Sequence, residues 1–141
     1  MEDQQGKYKN GFLKEYNHWI LTVSFRQHTL GCFIILAKNN IEKISDLEKE
    51  ELIELKEVMD QIETALQKHP LFKPDRFNYL QLGNVLHRLH FHGIPRYASP
   101  RKFQGGNWID MTWGKPPVWN KDDVSNDLVI SIKKELIKYL A

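Results

Sequence analysis

The stretch LGNVLHRLHFHGIPRY, residues 82–97, holds three of the six histidines of the chain within six positions. Polar and apolar residues alternate from position 88 to 95, and the proline that ends the run favours a β-strand that stops there. Side chains of a strand point alternately to its two faces. One face is therefore predicted to carry Arg88, His90, His92 and Ile94, and His87 falls on the far side or in the preceding turn.

Two neighbouring imidazoles beside a guanidinium are suited to phosphoryl or nucleotidyl transfer. Imidazole titrates near about pH 6.5, so at neutral pH it can act as a nucleophile, a base or a proton donor. One neutral histidine can attack phosphorus while its neighbour holds phosphate oxygens. An arginine can offset the negative charge, because its planar guanidinium pairs well with phosphate. The row thus indicates a nucleotide or phosphate chemistry.

Two other interpretations of the histidine row stay open at this point. The HFH segment offers two ligands to a metal ion, and a third ligand would have to come from a distant histidine: His18, His28 or His69. Alternatively, the row is an ordinary polar face of an exposed strand.

The rest of the chain predicts a single α+β domain over residues 1–141. Strands are expected at residues 19–25, 32–37 and 76–82, in addition to 88–95. A helix with one apolar stripe is expected to begin at a capping box of Ser45 and Glu48 and to end near Lys68 before a proline. A second helix is expected over residues 122–140. Residues 1–12 read as a polar, frayed lead-in, and residues 96–121 as an irregular segment in which Trp108, Trp113 and Trp119 anchor loops, contact a base or line a dimer seam.

Composition and charge narrow the function classes. The 141 residues carry a net charge of +2 with scattered basic residues, which disfavours a nucleic-acid polymer or a membrane surface as partner. A single cysteine, Cys32, excludes an internal disulfide and is typical of a reducing compartment. The polar N-terminal residues show no signal-peptide pattern and the apolar runs are short, so a cytoplasmic protein is expected.

The segment LHFHGIPRY resembles the signature of the histidine triad (HIT) superfamily, in which three histidines alternate with apolar residues. The bacterial branch of diadenosine polyphosphate hydrolase-like proteins is the most similar in motif. The segments FNYLQLGN and WIDMTWGKPPVW resemble its preceding strand and following tail. The resemblance implies a HIT-like fold, with a curved antiparallel sheet, one long central helix and a C-terminal helix. It also implies a homodimer that binds nucleotides and needs no cofactor, although a divalent metal can accompany the nucleotide.

Carried over by position, the resemblance gives His90 as the nucleophile that attacks the α-phosphorus and His92 as a phosphate contact. The main-chain carbonyl of residue 88 would accept the ring N–H of His90. Asn84 matches an asparagine that holds the phosphate end of the substrate. Arg96 and Gln27 are further candidates for substrate binding.

The sequence departs from the family pattern at two positions. Arg88 stands where the first histidine of the triad is expected, and it cannot protonate a leaving group because its pKa is too high. Cys32 stands where other branches have an upstream histidine, and a buried, inert thiol is expected there. Acidic polyphosphate leaving groups need little protonation, so an active enzyme is expected to prefer phosphoanhydrides. The alternative is a nucleotide-binding sensor or partner protein in which these changes weaken or abolish catalysis.

Overall fold

A computed structural model describes residues 8–140, which form a five-stranded antiparallel sheet flanked by two helices. The strands run β1 Phe12–Glu15, β2 Trp19–Val23, β3 Phe33–Ala37, β4 Arg76–Leu80 and β5 His90–Arg96. Their order across the sheet is β1-β2-β3-β5-β4. A short hairpin, β6 Arg101–Phe103 and β7 Gly106–Trp108, follows the sheet, and the helices are α1 Lys49–Lys68 and α2 Asn126–Ile137. The predicted α+β class with an antiparallel sheet, a long helix and a C-terminal helix is confirmed.

Helix α1 covers one face of the sheet with the apolar stripe that its sequence predicts. Leu55, Val58, Ile62 and Leu66 lie at helical spacing and are buried in one core with Phe91 of β5. Helix α2 adds Val129, Ile132 and Leu136 to this core. The face of β5 that carries the histidines is therefore the face turned away from α1.

The start of α1 differs from the prediction of a capping box at Ser45 and Glu48. Ser45 lies in a 3-10 helix, Ile44–Asp46, after which Leu47 has an extended backbone. Glu48 is the N-cap residue, and its backbone N–H donates to the Glu51 carboxylate at 2.9 Å. A capping box is therefore present, but it consists of Glu48 and Glu51, three residues later than predicted. Ser45 cannot cap α1 because it lies within the 3-10 helix.

The irregular regions of the prediction contain two elements that it missed. A polar lead-in was expected over residues 1–12, of which residues 1–7 lie outside the described residues. Its last residue, Phe12, begins strand β1, which pairs with β2. The tail contains the β6–β7 hairpin, whose two-residue turn at Gln104 and Gly105 has positive φ at both positions. Helix α2 begins later than expected, because the Val124 N–H donates to the Phe25 carbonyl before Ser125 caps the helix.

The tail after β5 is fixed to the sheet by a buried arginine. The Arg96 guanidinium donates to the Asp110 carboxylate at 2.6 and 3.0 Å, to the Asn78 side chain, and to the main-chain carbonyls of Thr112 and Lys115. Only 4% of the Arg96 side chain and 2% of the Asp110 side chain are exposed. This cluster holds the tail against the end of the sheet that lies beyond the histidines.

Among the described residues, no helix has the length and apolar character that a membrane span requires.

Candidate active site

His90 and His92 lie side by side on the face of β5 turned away from helix α1. Their ring centroids are 4.8 Å apart and the rings meet edge to face. In the register with β3, His90 is opposite Leu36 and His92 is opposite Ile34, and both aliphatic side chains are buried. Cross-strand partners share a face of the sheet, so the imidazole pair sits in an apolar frame.

One hydrogen bond fixes the tautomer of His90. Its Nδ1 lies 2.7 Å from the main-chain carbonyl oxygen of Arg88. A carbonyl only accepts, so Nδ1 carries the proton and Nε2 keeps its lone pair. In the described part of the chain, every buried side-chain nitrogen or oxygen has a hydrogen-bond partner. Nε2 of His90 has no such bond there, so it is not fully buried, although His90 as a whole is only 5% exposed. His90 lines a cavity through which an electrophile could approach this nitrogen.

His92 is held neutral by its surroundings. Burial, followed by the neighbouring His90, His28 and Arg26, lowers the pKa of His92 to about 3. The indole of Trp119 meets the His92 ring edge to face at 4.9 Å, and it stacks on His28 at 4.1 Å. The rings of His28, Trp119 and His92 are therefore in successive contact. Burial and the neighbouring groups disfavour protonation of His92.

A cavity of about 280 Å³ opens beside the two histidines. Asn84 lines it from the loop between β4 and β5, where Gly83 adopts a positive φ of 69°. Leu82 and Val85 of the same loop supply apolar walls. The structure thus brings together three of the predicted site residues: Asn84, His90 and His92.

Arg88 lies outside this cavity, although strand alternation predicts it in one row with His90 and His92. Its Nε and Nη2 donate to the main-chain carbonyls of Ala37 and Lys38 at 2.5 and 2.7 Å. The main chain on either side is pinned as well, since the Leu89 N–H donates to Ile41 and the Leu89 carbonyl accepts from Ala37. The side chain of Arg88 thereby ties the start of β5 to the end of β3, and its own carbonyl is held at His90.

Gln27 and Arg96 also lie away from the cavity. Gln27 is 2% exposed and closes the turn between β2 and β3. Its Nε2 donates to the carbonyls of Ser24 and Cys32, and its Oε1 accepts from the N–H groups of Gly31 and Cys32. Arg96 is engaged in the buried cluster with Asp110. Both side chains have used their hydrogen-bonding groups within the fold.

The predicted inert character of Cys32 agrees with its surroundings. The thiol is fully buried and donates to the Thr29 carbonyl. Burial raises the pKa of Cys32, although hydrogen bonds with Thr29 act in the opposite direction. A thiol with a raised pKa is a poor nucleophile at neutral pH.

The metal interpretation lacks a third ligand within the part of the chain that the structure describes. Over residues 8–140, no three side chains of His, Cys, Asp or Glu are grouped so that they could hold a metal ion. The Trp119 ring contacts both His28 and His92. His69 is bonded to Glu135 at the end of helix α1.

Three aromatic or charged residues of the cavity were not predicted as site residues: Tyr8, Phe25 and Arg26. Trp119, which also lines the cavity, is one of the three tryptophans for which contact with a base was one of the predicted roles. Phe25 and Arg26 follow β2 after one intervening residue, Ser24, where the chain turns towards the next strand. An arginine next to an aromatic residue at a strand end is the signal that could have drawn attention to them. Tyr8 lies in the segment treated as lead-in, and its ring packs on Phe25 with centroids 5.5 Å apart.

Acidification is expected to destabilise the fold as pH falls from about 6.5 towards 4. Burial, and then Arg26, lowers the pKa of His28 to about 4, and His92 is lowered further. The unfolded chain therefore binds protons in this window that the folded chain does not. Above the ordinary histidine pKa, the rings are neutral in both the folded and the unfolded chain, and the fold keeps its full stability. As pH falls below that value, the free energy of unfolding decreases by at most about 1.4 kcal/mol per pH unit for each of the two histidines.

Urea unfolding at about pH 7 and about pH 4.5 measures this loss. The His28→Gln variant should lose less stability than the wild type over the interval, because one of the two depressed groups is removed. Equal losses in the two proteins would contradict the assignment of His28.

Comparison with known proteins agrees with the fold. Residues 12–99 match the HIT domain family. A histidine triad protein from Sinorhizobium meliloti 1021 superposes with a TM-score of 0.70 at 15% identity, covering 96% of this chain and 94% of that one. A histidine triad protein from Marinobacter aquaeolei VT8 gives 0.63 at 22% identity, covering 96% of both chains.

The diadenosine triphosphate hydrolase of Plasmodium falciparum has the same fold, with a TM-score of 0.67 at 13% identity, covering 93% of this chain and 76% of that one. No curated protein matches the sequence. The family match spans the sheet, the long helix and the histidine strand, and it includes both rings of the candidate site. The chain is therefore a member of the HIT domain family.

Proposed function

We propose that this protein is a nucleotide hydrolase or nucleotidyl transferase that attacks the α-phosphorus of dinucleoside polyphosphates or related nucleotides through His90. The observation that carries the proposal is the fixed tautomer of His90. Its Nδ1 is bonded to the Arg88 carbonyl at 2.7 Å, while Nε2 faces a cavity that His92 and Asn84 also line. An oriented, unprotonated ring nitrogen is what nucleophilic attack requires and what binding alone does not.

The reaction proceeds in two balanced steps. The Nε2 lone pair of His90 forms a bond to the α-phosphorus, and the bond from phosphorus to the bridging oxygen breaks with its electron pair on the departing phosphate chain. Water then attacks the same phosphorus, and the phosphorus–nitrogen bond returns its electrons to Nε2. The proton of that water passes to solvent, and a nucleoside monophosphate leaves. The Nδ1–H group donates its hydrogen bond to the Arg88 carbonyl throughout, so its proton stays on the ring.

His92 and Asn84 hold the α-phosphate in this proposal. The Asn84 amide can donate to phosphate oxygens from the loop, and a neutral His92 can donate from one ring nitrogen. Because the pKa of His92 is depressed to about 3, it serves as a hydrogen-bond donor and not as a store of protons. Arg88 contributes through its carbonyl and through its clamp on Ala37 and Lys38.

Substrates with good leaving groups are favoured by this arrangement. With Arg88 directed to main-chain carbonyls, position 88 supplies no proton to the departing group. Polyphosphates leave without protonation, whereas amines and alkoxides need it. We therefore place phosphoanhydrides ahead of phosphoramidates as substrates. The chain's own residues account for each step without a cofactor, and a divalent metal would arrive with the nucleotide.

A second candidate function is nucleotide binding without turnover, as a sensor or partner module. The observation in its favour is that the Arg88 guanidinium is absent from the cavity lining, so the polar row of the family motif is reduced to two rings.

The family resemblance further supports a homodimer, and the single cysteine and short apolar runs support a cytoplasmic location.

Incubation with diadenosine polyphosphates, with mononucleotide release followed by chromatography, separates the two candidates. We expect release that continues in the presence of a chelator, although the rate can fall if the substrate binds with a metal ion. Binding without release from any phosphoanhydride would favour the sensor instead. Complete and reversible loss of release on chelation would revive the metal site.

A further inference from the structure

Among the described residues, eleven line the histidine cavity. Arg26 is the one of these eleven with a permanently positive side chain. The other arginines that the sequence brought to attention, Arg88 and Arg96, are bonded elsewhere in the fold. A nucleoside polyphosphate brings several negative charges into the cavity, and only one of its phosphates lies at the nucleophile. The remaining phosphates need a cation within reach of the same cavity.

The Arg26 guanidinium is held at the rim of the cavity and stays accessible. Its Nε donates to the Asp123 carboxylate at 3.2 Å, and 37% of the side chain is exposed. The guanidinium carbon lies over the Phe25 ring, 5.8 Å from its centre, in a cation–π contact. By contrast, the Arg96 side chain is 4% exposed and donates to five groups.

The hydrogen bond to Asp123 leaves the terminal nitrogens of Arg26 for another acceptor. Within residues 8–140 the side-chain hydrogen bond of Arg26 runs through Nε. A guanidinium presents its donors as a planar fork, and the fork matches two oxygens of one phosphate or of neighbouring phosphates. Arg26 can therefore keep Asp123 as a neighbour while its outer edge binds an anion.

The charge of Arg26 reaches the rings that surround the reacting position. Burial is the largest influence on the pKa of each ring: it lowers the pKa of His28 and His92, and Arg26 lowers them further. Burial raises the pKa of Tyr8, and Arg26 acts in the opposite direction there. The field of the guanidinium thus covers the cavity from the tyrosine on one side to the nucleophile's neighbour on the other. A negative phosphate chain entering this space would be attracted to the same field.

We propose that Arg26 binds the phosphates beyond the α-position and thereby selects polyphosphate nucleotides over monophosphates. The inference rests on the proposed function, since it assumes that the α-phosphate lies at His90. Arg26 also offsets the charge that grows on the departing phosphate chain when its bond to phosphorus breaks. In this way it supplies the charge-offsetting role that the sequence predicts for Arg88.

Titration calorimetry with full-length variants tests this selectivity. The His90→Asn background prevents turnover, and adenosine mono-, di- and triphosphate are compared as ligands. We expect Arg26→Gln to weaken triphosphate binding by roughly ten- to a hundredfold and monophosphate binding by less than about threefold. Arg26→Lys should give an intermediate loss, because it keeps the charge but lacks the fork. Arg76→Gln, the same change at an exposed site outside the cavity, should alter neither.

Equal losses for all three nucleotides in Arg26→Gln would overturn the inference, since a general effect on the cavity would explain them. Inorganic tripolyphosphate distinguishes this failure from a failure of the proposed function. If tripolyphosphate binds the wild type more tightly than Arg26→Gln while no nucleotide binds, the anion site stands and the nucleotide function fails. If tripolyphosphate and the triphosphate nucleotide both bind the two proteins equally, Arg26 has no role in phosphate recognition.

Discussion

Replacing Arg96 with methionine is expected to lower the free energy of unfolding by about 3–5 kcal/mol. The substitution keeps most of the apolar stem but removes the guanidinium that pairs with Asp110. The Asp110 carboxylate is 2% exposed, so it would remain as a buried charge without its main partner. Main-chain carbonyls of Thr112 and Lys115 would lose their donor as well. Urea-induced unfolding followed by tryptophan fluorescence measures the change.

Two further proteins make this measurement specific. Arg76→Met removes an exposed arginine on the neighbouring strand, whose guanidinium bonds to the Asp75 carbonyl, and should cost less than about 0.5 kcal/mol. The double variant Arg96→Met with Asp110→Asn should recover part of the loss, because no uncompensated charge is then buried. A loss below about 1 kcal/mol in Arg96→Met would show that the cluster does not hold the tail.

Replacing His90 with asparagine is expected to reduce turnover of dinucleoside polyphosphates by roughly a thousandfold or more. Asparagine can still donate to the Arg88 carbonyl from its amide, so the start of β5 should keep its place. The amide has no basic nitrogen with which to attack phosphorus. Nucleotide affinity should stay within a few-fold, because His92, Asn84 and Arg26 remain in the cavity. Steady-state kinetics and equilibrium binding together separate the two effects.

The matched control lies three residues earlier, in the loop that precedes β5. His87 is exposed and outside the cavity lining, so His87→Asn makes the same chemical change without touching the site. Its turnover should equal that of the wild type. If His90→Asn retained comparable turnover, the nucleophilic role of His90 would be lost from the account.

The part of the site that depends on alternation could be predicted from the sequence. The period of two in residues 88–95 predicts that His90 and His92 share a face, and their rings are in contact. The spacing of Leu55, Val58, Ile62 and Leu66 predicts the face of α1 that covers the sheet. Both predictions rest on repeating geometry, which a local pattern contains.

What depends on the choice of a hydrogen-bond partner could not be predicted. Arg88 stands in the catalytic row by position, yet the free carbonyls at the end of β3 lie within its reach and accept its guanidinium. Arg96 and Gln27 likewise satisfy buried main-chain groups, a demand that only the folded chain reveals. Arg26 and Trp119 lie beside the histidines but belong to segments that are distant in sequence. The local sequence around residue 90 therefore does not predict that they line the same cavity.

The central claim is that a covalent bond forms between Nε2 of His90 and the α-phosphorus of a nucleotide. The most direct measurement is rapid mixing with a diadenosine polyphosphate, an alkaline quench and mass spectrometry of the intact protein and its peptides. We expect a transient mass increase of one nucleoside monophosphoryl group on the peptide that contains His90, and none in His90→Asn. Turnover without any adduct on that peptide, or with an adduct on another residue, would contradict it.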